Sequence, residues 1–127
     1  GLFKMQIQKN NYIQFTGVGV IGKVKSKDLN KLVSFISDPE NQQKISILEK
    51  SYSSDVFLNT TASVITLKHK EFGYLTKFGM DKVSVSNFVK HFDNVLEHCT
   101  KAIDSAELKK LEHKKWIDSV ILQNKRA

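Results

Sequence analysis

The sequence predicts an α+β fold, in which a mainly antiparallel, curved sheet is covered by a long amphipathic helix. Two blocks, at about 3–25 and 56–78, are rich in alternating and β-branched residues, which is typical of strands. They are followed by a segment at about 86–103 in which apolar residues recur at helical spacing. Because such a helix must bury its apolar side against another layer, the strands before it are the expected partner.

The segment 86–103 carries the clearest pattern in the chain. Its apolar residues are separated by one, three or four positions, so they share one side of an α-helix. Ser84 or Ser86 is expected to cap the first turn, because a serine hydroxyl can accept a hydrogen bond from an otherwise unpaired N–H. The predicted buried side consists of Phe88, Val89, Phe92, Val95, Leu96, Cys99, Ala102 and Ile103.

The first β block is predicted to contain two strands. Apolar and polar residues alternate over Phe3–Gln8, and Lys9–Asn11 is expected to form a hairpin turn, because Asn tolerates positive φ. The second strand is predicted to be long, running from Tyr12 to about Lys25, with three glycines interrupting it.

The second β block is predicted to end in a hairpin. Val64–Leu67 is rich in β-branched residues, His69–Glu71 turns the chain, and Phe72–Phe78 returns as the partner strand. Strict alternation would put the rings of Phe72, Tyr74 and Phe78 on one side of this last strand. Those rings are predicted either to lie exposed among lysines or to pack under the helix with Leu75 and Lys77 left outside.

Two further helices are predicted. The first is short, near 27–37, and ends at Asp38–Pro39, because the residue before a proline avoids the helical region. Residues 40–54 fit both a helix and a strand, and a second helical piece or loop running into a strand is preferred. A C-terminal basic helix is predicted at about 105–123, because Asp104 and the glutamate three residues later have capping-box spacing.

Length and cysteine content indicate the class of protein. The chain has 127 residues, which fits a single domain, 1–127, whose basic helix and tail begin at about 105. One cysteine excludes an internal disulfide, and no apolar run approaches the ~20 residues of a membrane span. We therefore expect an intracellular protein, in the cytoplasm or in the nucleoid or nucleus, with no membrane partner.

The charge is the strongest functional indication in the sequence. The formal net charge is +7, and the only arginine among the basic residues is Arg126. Lysine supplies point charges suited to phosphate, whereas reading base edges usually requires arginine. The alternative is that the excess of lysine reflects an AT-rich genome and has no functional meaning.

A glycine-rich segment, Gly17–Val24, matches phosphate-binding patterns but lacks what they require. It satisfies GxGxxG, yet a dinucleotide loop needs a helix that starts at the glycines, and here a strand pattern continues. It contains the GK of a Walker loop, but Val24 stands where Ser or Thr would bind magnesium. We interpret the glycines as a bend, a bulge or a close backbone approach.

No catalytic or metal-binding constellation is predicted. His91 and His98 lie seven positions apart, about 10 Å along a helix, which is too far to share one ion. Cys99 belongs to the predicted buried side and is expected to be a core residue. No nucleophile–base pair or paired carboxylates can be defended from spacing, so the sequence predicts a non-enzyme without a cofactor or metal.

The leading functional prediction is binding of single-stranded DNA or RNA with low sequence specificity. In this hypothesis lysines contact phosphates while aromatic rings stack on bases. The predicted binding residues are Lys4, Lys23, Lys25, Lys68, Lys70, Phe72, Tyr74, Lys77, Lys109, Lys110, Lys114 and Lys115.

The alternative prediction is a protein–protein interaction module, such as an inhibitor or adaptor of a partner protein. It would use the C-terminal helix that carries Trp116, or an exposed sheet edge. The positive charge would then steer an acidic protein partner, and the sequence also allows a homo-oligomer.

Overall fold

The computed structural model describes residues 6–8, 12–79 and 83–126. These residues form one sheet and several α-helices, which confirms the α+β class. The strands are β1 (Gln6–Gln8), β2 (Tyr12–Phe15), β3 (Val18–Ile21), β4 (Ser54–Asn59), β5 (Val64–His69) and β6 (Gly73–Gly79). The helices are α1 (Ser26–Ser37), α2 (Pro39–Lys50), α3 (Val85–Lys90) and α4 (Phe92–Arg126).

The sheet follows chain order from β1 to β6. Neighbouring strands pair antiparallel except β3 and β4, which are parallel, so the predicted mainly antiparallel sheet is confirmed. A parallel pair needs a crossover, and α1 and α2 provide it. The predicted turn at 9–11 lies outside the described residues, although the strands on either side of it pair antiparallel.

All four helices contribute to one core on one face of the sheet. The strand residues of this helix-side face alternate along each strand, as a half-covered sheet requires. They are Phe15, Val18, Val20, Val56, Leu58, Ile65 and Leu67, and the helices add Leu32, Ile36, Ile45, Leu48, Val85, Phe88, Phe92, Val95, Cys99 and Ile103. In the described part of the chain the opposite face, called the outer face below, therefore has no helical layer.

The first β block differs from its prediction. The expected long strand from Tyr12 to about Lys25 is wrong, because Thr16 and Gly17 turn the chain and β2 pairs with β3. Gly17 adopts φ 82°, which an L side chain rarely does. The strand-like pattern that begins at Tyr12 therefore corresponds to two short strands joined by a tight turn, not to one long strand.

The segment between the β blocks agrees with its prediction. Asp38 is extended and ends α1, while Pro39 opens α2, where its missing N–H costs nothing. The preferred interpretation of 40–54, a helical piece that runs into a strand, is confirmed by α2 and β4.

The helix predicted at 86–103 is interrupted. Its buried side is confirmed, and the Ser84 hydroxyl caps α3 by accepting a hydrogen bond from the Asn87 N–H at 3.2 Å. However, His91 has φ −108° and ψ 20°, so α3 ends there and α4 begins one residue later. The Phe88 and Phe92 rings on either side pack edge-on at 5.5 Å.

The predicted boundary before a separate C-terminal helix is wrong. α4 runs without interruption from Phe92 to Arg126, so Asp104 is an interior helical residue and not a cap. Capping-box spacing is informative only where the first residue leaves helical geometry. No Gly or Pro occurs between residues 92 and 126 to force such a departure. Within the described residues, no helix combines the length and apolar character needed to cross a bilayer.

Candidate functional site

The predicted nucleic-acid-binding residues do not form one surface. Lys68, Lys70 and Tyr74 gather on the outer face near the β5–β6 turn. Lys4 and the side chain of Lys77 lie outside the described part of the structure. The remaining predicted residues are divided between the β3–α1 loop, the β5–β6 turn and α4.

The outer-face cluster is a shallow basic pocket with a carboxylate in it. Lys68 lies directly across from Asp55 in the β4–β5 ladder, and its ammonium is 5.6 Å from the centre of the Tyr74 ring, which is 61% exposed. The pocket has a volume of about 380 Å³ and is lined by Gln14, Asp55, Phe57, Lys68 and Lys70. Burial raises the pKa of Asp55, and the two nearby lysines oppose that rise.

Phe72 lies on the other side of the turn from Tyr74. Its ring stacks on the buried His69 ring at 4.6 Å, and the Lys110 ammonium lies 5.9 Å from its centre. Lys110 also forms an ion pair with Glu71. Phe72 thus joins the turn to α4, and the prediction that it shares a side with Tyr74 is wrong, while the side chain of Phe78 lies outside the described part of the structure.

A β-bulge also breaks the alternation within β6, between Tyr74 and Thr76. Lys68 pairs with Tyr74 while Leu67 pairs with Thr76, so Leu75 is the extra residue. Leu75 packs against the core, and the Thr76 hydroxyl lies 3.0 Å from His98 Nε2 on α4. The alternative that left Leu75 outside and buried Tyr74 is therefore also wrong.

Lys23 and Lys25 are exposed in the loop between β3 and α1, at the far end of the sheet. That loop follows Ile21, which pairs with Asn59 at the end of β4. Val64 pairs with Asn59, and Lys68 is four residues further along β5, which is about 13 Å of strand. The two lysine pairs therefore lie at opposite ends of the sheet.

The glycine-rich segment 17–24 has a packing role that fits its interpretation. A side chain on Gly17 would meet Ile45 of α2, and one on Gly22, at φ 103°, would meet Thr60. The Thr60 hydroxyl donates to the Ile21 carbonyl at 3.1 Å, which ties β3 to the end of β4. Helix α1 begins at Ser26, not at the glycines.

The histidines and the cysteine do not assemble. Among the described residues, no three His, Cys, Asp or Glu side chains gather to hold a metal ion. Cys99 is fully buried, which confirms its predicted core position, and burial raises the pKa of its thiol to about 12. A thiol in that environment is a poor nucleophile.

The feature that stands out is the C-terminal part of α4, residues 104–126, called the projecting segment below. Burial along α4 ends at Ile103, and beyond Lys110 only Val120 is even half-buried. The segment is about 34 Å long at 1.5 Å per residue. Its exposed large apolar residues are Leu108, Leu111, Trp116, Ile117, Ile121 and Leu122.

Part of this apolar surface continues the line along which α4 docks. From Phe92 onwards, positions on one side of α4 recur at steps of four and three, the spacing of a coiled-coil heptad. This line, called the seam below, consists of Phe92, Leu96, Cys99, Ile103, Ala106, Lys110, His113, Ile117, Val120 and Asn124. The seam packs against the core as far as Ile103 and contacts the β5–β6 turn at Lys110, and beyond Lys110 it is uncovered by described residues.

The predicted basic track on α4 is not a single face. Lys109, Lys110 and Lys114 lie in or beside the seam, whereas Lys115 lies on the opposite side of the helix with Leu111. The sequence prediction listed these lysines but missed the seam between them. A count of three-and-four steps continued past residue 103 would have found it.

Compared with protein-family models, with curated proteins and with solved structures, the chain has no match in any of the three.

Proposed function

We propose that this protein is a protein–protein interaction module whose binding element is the projecting segment of α4. The observation that carries the proposal is Trp116, 63% exposed, with the seam residues Ile117 and Val120 and the neighbouring Ile121 beside it on an uncovered helix. Contiguous exposed apolar surface of this kind typically marks an interaction site. Tryptophan is also among the residues that contribute most to interface affinity.

The ring of Trp116 stacks on an imidazole of the same helix. His113 lies one turn earlier on the same side, and the two rings stack at 6.1 Å with an interplanar angle of 21°. An ordered aromatic ring loses less side-chain entropy on binding than a freely rotating one. The stack therefore supports a role for this face in recognition.

Site-specific photocrosslinking in cells that make the protein tests the proposal. A photoreactive residue in place of Ile121 is expected to give a covalent adduct with another polypeptide. The same residue in place of Ser119, exposed on the other side of the helix, is the matched control and should give none. Equal labelling from both positions, or none from either, would contradict the proposal.

Binding of single-stranded nucleic acid is a second candidate, favoured by the cluster of Lys68, Lys70 and Tyr74. These side chains offer two phosphate contacts beside one exposed ring, on a face without a helical layer in the described chain. Two lysine contacts would give a salt dependence of affinity with a slope of about −1.4. Asp55, which faces Lys68, would oppose the phosphates.

Titration of a labelled single-stranded oligonucleotide at two salt concentrations tests this second candidate. Tyr74→Ala is expected to weaken binding, because base stacking on one ring contributes ~1–3 kcal/mol. Asp55→Asn is expected to strengthen it by removing the opposing charge. If neither substitution changes the affinity for the oligonucleotide, the outer face is not the nucleic-acid-binding site.

A further inference from the structure

We infer that the partner of the projecting segment is an acidic amphipathic helix, which pairs with the uncovered seam as the second strand of a coiled coil. This inference rests on the proposed function and specifies the chemistry of the partner. It is carried by the register of apolar and charged residues along α4.

The apolar part of the surface fits a helix. Ile117 and Val120 occupy consecutive seam positions, and Trp116 and Ile121 flank them on either side. A partner helix with apolar residues at the same alternating steps of three and four would insert its side chains between these four. A flat or extended ligand would cover less of a line that follows the helical repeat.

From residue 109 to residue 124 the charges along the seam and its edges have one sign. Glu107 is the flanking acid nearest the sheet, and the ionisable residues from 109 to 124 at seam and flanking positions are all Lys or His. The acids of that range, Glu112 and Asp118, lie away from the seam. Residues at these flanking positions choose coiled-coil partners through charge, so this edge selects glutamate or aspartate.

A second copy of the chain fits this edge poorly. Two copies would bring Lys109 and Lys114 into the same narrow interface without flanking acids from 109 to 124 to face them. Each copy also carries a net charge of +7, which adds repulsion at longer range. Glu71 is already paired with Lys110 of its own chain, so this ion pair does not provide an acid that could face Lys109 or Lys114 of a second copy.

An anionic lipid surface is also disfavoured by the pattern. A helix that lies on a membrane concentrates its apolar residues on one wide face. In the projecting segment Leu108, Leu111 and Leu122 lie half a turn away from Ile117 and Val120. Immersing one of these sets in lipid would leave the other in water.

The test uses the fluorescence of Trp116, the only tryptophan in the chain. The probe is a synthetic helical peptide with Leu and Ile at its seam positions and Glu at its flanking positions, added to the full-length protein. The matched control peptide has Lys in place of every flanking Glu. We expect a blue shift of Trp116 emission and at least about tenfold tighter binding of the Glu peptide.

Two single variants locate the peptide-binding site on the helix, and a double variant tests its charge preference. Ile117→Asp is expected to abolish binding, whereas Leu111→Asp, on the other side of the helix, should leave it unchanged. The double variant Lys109→Glu with Lys114→Glu is expected to reverse the preference towards the Lys peptide. Circular dichroism of each variant confirms that the helix still forms.

Several outcomes would overturn the inference: equal affinity for both peptides, Glu-peptide binding that survives Ile117→Asp, or self-association that depends on Ile117. Anionic phospholipid vesicles that shift Trp116 emission where the Glu peptide does not would assign the face to lipid instead. The photocrosslinking result separates the two proposals. An adduct at position 121 without peptide binding keeps the interaction module and removes the acidic helix, whereas no adduct removes both.

Discussion

The two parts of α4 share one periodic seam and have different environments. From 92 to 103 the seam is buried against the sheet and the other helices, whereas beyond its contact with the β5–β6 turn at Lys110 the same periodic line is uncovered by described residues. Steps of three and four run through both parts, although the second part also carries Leu108, Leu111 and Leu122 on the opposite side. The first part has a surface in the described chain to pack against, and the second part has none beyond Lys110. An apolar stripe on a helix therefore shows that the helix requires a packing partner, but it does not show where that partner comes from.

The largest expected difference is in stability. Ile103→Ala removes a fully buried side chain and should lower the free energy of unfolding by about 2–5 kcal/mol. Ile117→Ala, the same change at an exposed seam position, should change it by less than about 0.5 kcal/mol. Urea unfolding of both variants measures the contrast. A loss of similar size for Ile117→Ala would mean that the projecting segment is packed in solution.

Cysteine reactivity gives a second contrast. With a pKa of about 12, Cys99 is ionised in only ~1 molecule in 10,000 at pH 8, and it is also fully buried. Alkylation by iodoacetamide should therefore be at least about 1000-fold slower at Cys99 than at a cysteine introduced by Leu111→Cys. Mass spectrometry of the labelled protein distinguishes the sites. Rapid native labelling of Cys99 would show that α4 opens away from the core.

The smallest expected effect concerns the place where the two parts of α4 meet. The hydrogen bond from Lys110 lowers the pKa of Glu71, so this pair stabilises the fold above the usual titration range of a carboxylate and loses that contribution as the pH falls through it. Lys110→Ala should therefore be less stable than the native chain at pH 7, with the difference vanishing at pH 3.

Chemical unfolding of Lys110→Ala at the two pH values measures this difference, and Lys109→Ala, one residue away, is the control. A Lys110→Ala difference that did not depend on pH would show that Lys110 acts through its contact with the Phe72 ring.

The candidate site was only partly readable from the sequence. Composition and spacing indicated Tyr74, Lys68 and Lys70 as a group, and the structure places them together. It separates Lys23 and Lys25 from them, because the distance between segments depends on strand pairing and not on order along the chain. The opposite directions of Phe72 and Tyr74 arise because Phe72 lies in the turn before β6, where strand alternation does not apply, and the alternation pattern does not reveal where that turn ends.

Periodicity determined the α+β class, the buried side of 86–103 and the core position of Cys99, and the proline determined the break at Asp38–Pro39. These features depend on local geometry, since the helix and strand repeats dictate which residues share a side. The tertiary structure alone decided the turn at Gly17 and the exposure of Trp116. The turn depends on which strands pair, and the exposure depends on whether another segment covers α4, so no residue carries that information by itself.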